Sequence, residues 1–107
     1  MIKIECIVDK NIFYTMPNFI FIDKNKNKII FSFTDNTTES FIYDKFSLEK
    51  IDYYDSKKHE NLYCFLSDRN FFYIYFVCKN IYDIKILKNI ILKSKLNIFK
   101  NFKINKE

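Results

Sequence analysis

NIYDIKILKNIILKSK, residues 80–95, is the stretch where the hydrophobic period of this chain changes. Ile84, Leu87 and Ile91, with Ile90 beside them, recur at helical spacing, whereas Lys85, Lys88, Lys93 and Lys95 fall on the remaining arc. Asn80 can cap a first turn, and Asp83, three residues on, brings a carboxylate to the positive end of a helix dipole. The spacing predicts one amphipathic helix of about four turns over 80–95.

Upstream, the pattern is different. Short β-branched and aromatic runs alternate with Asn, Asp, Lys and Ser clusters, which predicts strands at 2–8, 12–15, 18–23, 28–34, 40–44, 47–54, 61–66 and 71–77. The chain contains no glycine. Asn and Asp must therefore supply the positive-φ turn positions, at Asp23–Asn27, Asp35–Asn36, Asp55–Asn61 and Asp68–Asn70. The expected scaffold is a meander of antiparallel hairpins, and the helix must bury its stripe against the open end of a strongly bent sheet or partly open barrel. Folds that insert the helix between strands, such as the ubiquitin-like and ferredoxin-like ones, fit this order less well.

Composition bounds the function. The 107 residues are 49% hydrophobic, enough to order one core, so a single domain over 1–99 with a polar tail or linker start at 100–107 is expected. That polar end fits a native chain that continues past Glu107. No apolar run reaches the length of a membrane span, and MIKIECIVDK lacks the layout of a secretory signal, so an intracellular, soluble protein is expected. Cys6, Cys64 and Cys78 are odd in number and widely spaced, which reads as reduced core thiols. A single Arg (Arg69) among many Lys, with abundant Asn, Ile, Phe and Tyr, reflects an AT-rich coding bias. Lysine content alone thus says little about nucleic acid. Its distribution says more: all the net positive charge (+5 for the chain) lies from Lys79 onward, where eight Lys face only Asp83 and Glu107.

For catalysis the residues are sparse. His59 is the only histidine and sits in a polar stretch, Ser56-Lys57-Lys58-His59-Glu60, so a nucleophile would lack a base. Glycine loops for phosphate are impossible without glycine, and Asp52 with Asp55 read as ordinary turn acids. Neither an enzyme nor a cofactor or metal is expected.

Binding has three readings. Lys24, Lys26 and Lys28 alternate in a hairpin loop and would face one phosphorylated lipid head group if the hairpin ends stay extended. Phe71, Phe72, Tyr73, Tyr75 and Phe76 could stack bases, although such a strand more often has one face in the core. Lys57, Lys58 and Arg69, with Tyr63, Phe65 and Phe72 read as exposed neighbours, suit an acidic disordered peptide carrying an apolar anchor. A solvated loop without a ligand explains the same residues.

The order of features resembles a known family. Asn18-Phe19-Ile20-Phe21-Ile22, Lys28-Ile29-Ile30-Phe31, Phe41-Ile42-Tyr43 and Leu48-Glu49-Lys50-Ile51 are similar to the G-x-L-Y-[LIV], R-[IL]-x-W, F-x-I and Y-x-D-I run of the split and GRAM-like pleckstrin-homology superfamily. Within it, the pattern is most similar to the amino-terminal pleckstrin-homology-like domains of the large non-enzymatic core subunit of TFIIH, the transcription and nucleotide-excision-repair factor. Tyr73-Ile74-Tyr75 resembles the family's Phe-x-Phe strand, and Tyr82 to Ile91 resembles its final R-D-x-V-K-D-L-L helix. The likeness runs from Ile2 to about Phe99 and rests on hydrophobic pattern and spacing.

The resemblance implies a pleckstrin-homology-like bent antiparallel sheet capped by the helix. It also implies a nuclear, non-catalytic module that docks acidic segments of transcription and repair factors, with other TFIIH subunits held by the rest of the native chain and no direct nucleic-acid contact. The family's basic positions fall nearest Lys57, Lys58 and Lys88. Asn18 stands for the family glycine, Phe31 for its Trp, and Tyr63 and Phe65 lie near its polar groove positions. Peptide binding is accordingly expected at Lys57, Lys58, Arg69, Lys88, Tyr63, Phe65 and Phe72. The alternative is a membrane-surface adaptor that grips acidic lipid heads through Lys24, Lys26 and Lys28.

Overall fold

The computed structural model describes residues 1–10, 15–42, 46–51, 61–67, 73–91 and 96–99. They form a mainly β molecule with one short helix, in two sheets that do not close into a barrel. Strands β1 (Ile2–Glu5), β2 (Pro17–Asp23), β3 (Lys28–Phe33) and β4 (Thr38–Ile42) make an antiparallel sheet in sequence order. Strands β5 (Phe46–Ile51), β6 (Leu62–Ser67) and β7 (Tyr73–Val77) make a second antiparallel meander, followed by helix α1 (Asp83–Ile90) and strand β8 (Leu96–Phe99). The expected strand at 12–15 lies almost wholly outside the described residues, as does the 100–107 tail.

Asparagine does replace glycine in the first two hairpins. Among the described residues Asn27 (φ 51°) and Asn36 (φ 66°) have positive φ, and each of their turns is tied by an aspartate. Asp23 Oδ1 accepts from the amides of Asn25 and Lys26, and Asp35 Oδ1 accepts from the amide and hydroxyl of Thr37. These side-chain bonds stand in for backbone pairs that a turn cannot make. The register of β2 against β3 shifts between Pro17 and Phe19, a bulge at Asn18.

Alternation along the first sheet turns Ile4, Ile20, Ile22, Ile29, Phe31 and Phe33 inward. Leu48, Tyr63, Phe65, Ile74 and Phe76 of the second sheet meet them in the same core. Phe65 stacks on Phe76 at 4.8 Å and meets Phe31 edge-on at 5.0 Å, offset and T-shaped geometries that aromatic quadrupoles favour. The helix stripe closes this core: Ile84, Leu87 and Ile91 are all buried there. That was the expected plug.

Four features differ from the sequence reading. The helix is eight residues long instead of spanning 80–95, and Asn80 caps the turn before it by accepting from the Tyr82 amide. The cap position itself is Tyr82, with no side-chain capping bond. The scaffold is not wholly antiparallel, because β8 pairs parallel with β5, Leu48 to Leu96 through Ile51 to Phe99. Lastly, the second sheet is covered on both faces. Ile51, Leu62, Cys64 and Val77 on its outer side pack with Met16, against which Ile7 and Val8 also lie.

The two sheets join along one seam. Cys6 and Cys78 form an antiparallel bridge beyond the ends of β1 and β7, flanked by Ile7 N–H to Val77 O at 2.8 Å and Lys79 N–H to Glu5 O at 2.9 Å.

Candidate functional site

The seam and the start of α1 build the most distinctive polar surface among the described residues. Because residues 79–82 form a bend and turn instead of helix, the apolar residues there are turned outward: Ile81 is 54% and Tyr82 66% exposed. The Tyr82 backbone is nevertheless helical (φ −71°, ψ −19°), so the ordinary helical spacing holds from there on. Residues three or four apart are neighbours on a helix surface. Tyr82, Lys85 and Lys88 therefore lie along one ridge, and exposed Ile81 precedes it in the turn, so the ridge is apolar at its start and basic along its length. Lys85 Nζ stands 5.7 Å above the Tyr82 ring, and Lys88 Nζ stands 5.8 Å from the Tyr63 ring. Both are favourable cation–π placements.

Beside this ridge lies an open depression of about 330 Å³ lined by Lys3, Glu5, Lys79, Asn80 and Asp83. Two lysines and two carboxylates balance there, so the depression alone has no preference for an anion. Lys79 and Glu5 are paired at 3.7 Å with both side chains mostly exposed. A pair so exposed contributes about 0–1 kcal/mol, so its lysine can be redirected to an incoming carboxylate at small cost. Lys3 Nζ sits 4.3 Å over the Phe19 ring on the outer side of the first sheet. The positive surplus comes from Lys85 and Lys88.

The expected peptide-binding residues fare unevenly. Lys57, Lys58, Arg69 and Phe72 lie outside the described residues. Tyr63 and Phe65 are corrected: at 6% and 0% exposure they are core residues and cannot receive a ligand's side chain. Leu62 to Phe65 form a run buried without interruption, since β6 is packed on both faces. Burial raises the Tyr63 phenol above the ordinary tyrosine range, as expected for a hydroxyl that seldom ionises in the core. Of the three members of that set among the described residues, Lys88 is the one in reach of solvent, half-buried on α1.

Lipid binding by Lys24, Lys26 and Lys28 requires extended backbone through all three, but 24–27 form a turn and Lys28 already pairs with Asp23 and Ile42 in the sheet. Alternation therefore does not put the three lysines on one face. Lys24 and Lys26 are exposed on the turn, and Lys28 is half-buried.

Ile81 and Tyr82 were missed because they were assigned to the helix, where Ile81, three residues before Ile84, would have joined the buried stripe. The signal that could have found them is Asp83, a favoured first-turn residue that starts the helix later. Among the described residues no group of three or more His, Cys, Asp or Glu is placed to hold a metal, and no helix is long and apolar enough to cross a membrane. Comparison with protein-family models, with curated proteins and with solved structures finds no match for the chain.

Proposed function

We propose that this chain is a non-catalytic, pleckstrin-homology-like interaction module of a nuclear TFIIH core subunit, which docks acidic disordered segments of transcription and repair factors. The observation that carries the reading is the ridge Tyr82–Lys85–Lys88 with exposed Ile81 before it, an apolar start followed by two lysines at helical spacing. A disordered acidic segment can set one large apolar residue against Ile81 and Tyr82 and lay its carboxylates along Lys85 and Lys88, with Lys79 beside them. Apolar contact then supplies most of the affinity, and the lysines supply steering and register.

Two features of the scaffold support the family part of the reading. Antiparallel strands followed by a helix that closes the core agree with the capped antiparallel sheet that the resemblance implies, and the parallel strand β8 is the departure from it. The bulge falls at Asn18, where the resemblance expects glycine, the residue that tolerates a bulge best.

Fluorescence anisotropy with a synthetic peptide of Asp and Glu around a single Phe tests the proposal. Binding is expected, with about a tenfold loss for the double change Lys85→Glu, Lys88→Glu and a comparable loss for Tyr82→Ala. Equal binding by these variants, or none by the parent, would reject the ridge. Pelleting with phosphoinositide vesicles that is abolished by Lys24→Glu and Lys26→Glu would favour the membrane adaptor instead.

A further inference from the structure

The topology brings together two cysteines that are far apart in the chain. Cys6 and Cys78 are direct partners in the antiparallel bridge at the seam. The flanking bonds run from Ile7 N–H to Val77 O and from Lys79 N–H to Glu5 O, which makes Cys6–Cys78 a non-hydrogen-bonded pair. In such pairs the Cα atoms stand roughly 4.5 Å apart with side chains on the same face, inside the range of roughly 4.4–6.8 Å that disulfides span. Both cysteines are free, and the neighbouring Cys78 is a cause of the raised pKa of the Cys6 thiol. Cys6 is half-buried and reachable, while Cys78 is buried at 2% exposure. Cys64 lies in the separate cluster on the outer face of the second sheet.

We propose that Cys6 and Cys78 form a modification site, a thiol pair that closes into a cross-strand disulfide stapling β1 to β7, with a small-molecule disulfide as oxidant. The Cys6 thiol loses its proton and its sulfur attacks one sulfur of the external disulfide. A mixed disulfide forms and one small thiolate leaves, taking up a proton. The deprotonated Cys78 sulfur then attacks Cys6 Sγ, forming the internal S–S bond and expelling the second small thiol. Two protein thiols are oxidised by two electrons and one external disulfide is reduced to two thiols.

Contact with Cys78 and burial hold the Cys6 thiol above the ordinary cysteine range. Little thiolate is present at neutral pH, so the pair closes slowly and acts as a staple, not as a fast peroxide sensor. The bond would cross-link ends of the scaffold that only folding brings together, so it constrains the unfolded chain strongly. It would also fix Glu5 and Lys79, which adjoin the pair and line the depression. This proposal stands independently of the docking proposal.

The test is to incubate the folded full chain with oxidised glutathione, trap remaining thiols, and map the linkages by mass spectrometry. One intramolecular bond, Cys6 to Cys78, is expected, with Cys64 recovered as a free thiol after denaturation. The same oxidation in concentrated guanidinium should scatter linkages among all three cysteines. Oxidised protein should melt about 10 °C or more above reduced protein, and Cys6→Ser should remove both bond and shift. A glutathione adduct that persists on Cys6, a dimer linked through Cys6, or a bond to Cys64 in the folded protein would overturn the proposal. The mapping is made on the parent chain, so it decides the matter even if a variant fails to fold.

Discussion

Asn27 and Asn36 hold the positive-φ positions of two hairpins in a chain without glycine, and their short polar side chains bear that conformation at lower cost than other residues with a Cβ. Asn36→Ala is expected to lower stability by about 1 kcal/mol, whereas Asn36→Gly should leave it unchanged or raise it, as read by urea denaturation. The neighbouring Asp35 carboxyl is held below the usual aspartate range by hydrogen bonds from the Thr37 side chain and amide. A lowered folded-state pKa means that its stabilisation is fully present above the unfolded value of about 4 and is lost as pH falls through the folded value. On acidification below about pH 4 the parent should therefore lose more stability than Asp35→Asn, which has no charge to neutralise. These turn residues were legible because Asn and Asp have local reasons to be there. Tyr63 and Phe65 were not, since their exposure depends on what covers the other face of β6. The unbroken apolar run Leu62-Tyr63-Cys64-Phe65-Leu66 was the available sign that both faces are packed.

At the scale of elements, α1 is stabilised mainly by its stripe, because eight residues are too few for a helix to persist alone. Leu87, fully buried, should cost about 2–5 kcal/mol when changed to Ala, while exposed Lys85→Ala should stay within about 0.5 kcal/mol in the same denaturation assay. Strand β8 is held differently, by parallel pairing to β5 over four residues. Deleting 96–99 should bare the backbone of Leu48–Ile51 along one edge, and hydrogen exchange should quicken at alternate β5 amides while β6 keeps its protection. The helix was readable from Ile84, Leu87 and Ile91 because periodicity is local. The parallel strand was not: Leu96-Asn97-Ile98-Phe99 is as apolar as a helix end, and only the free edge of β5 makes it a strand.

Over the whole molecule, one core between the sheets and a smaller one outside the second sheet absorb most large apolar residues among those described, so the few of these left in solvent stand out. Ile81 and Tyr82 are two of them, and they lie within the quarter of the chain that carries all the net positive charge. Affinity for an acidic segment should therefore fall steadily as salt rises from about 0.05 to about 0.5 M, with the change mostly in the association rate. The central claim is that this ridge is where another molecule docks. Titrating an acidic, Phe-bearing peptide into isotope-labelled protein and following amide NMR shifts tests it most directly. The account predicts a contiguous set of shifts at Lys79, Ile81, Tyr82, Lys85 and Lys88, with the 24–28 turn unmoved. Saturable shifts that leave 79–88 unperturbed, or no shifts at low salt, would contradict it.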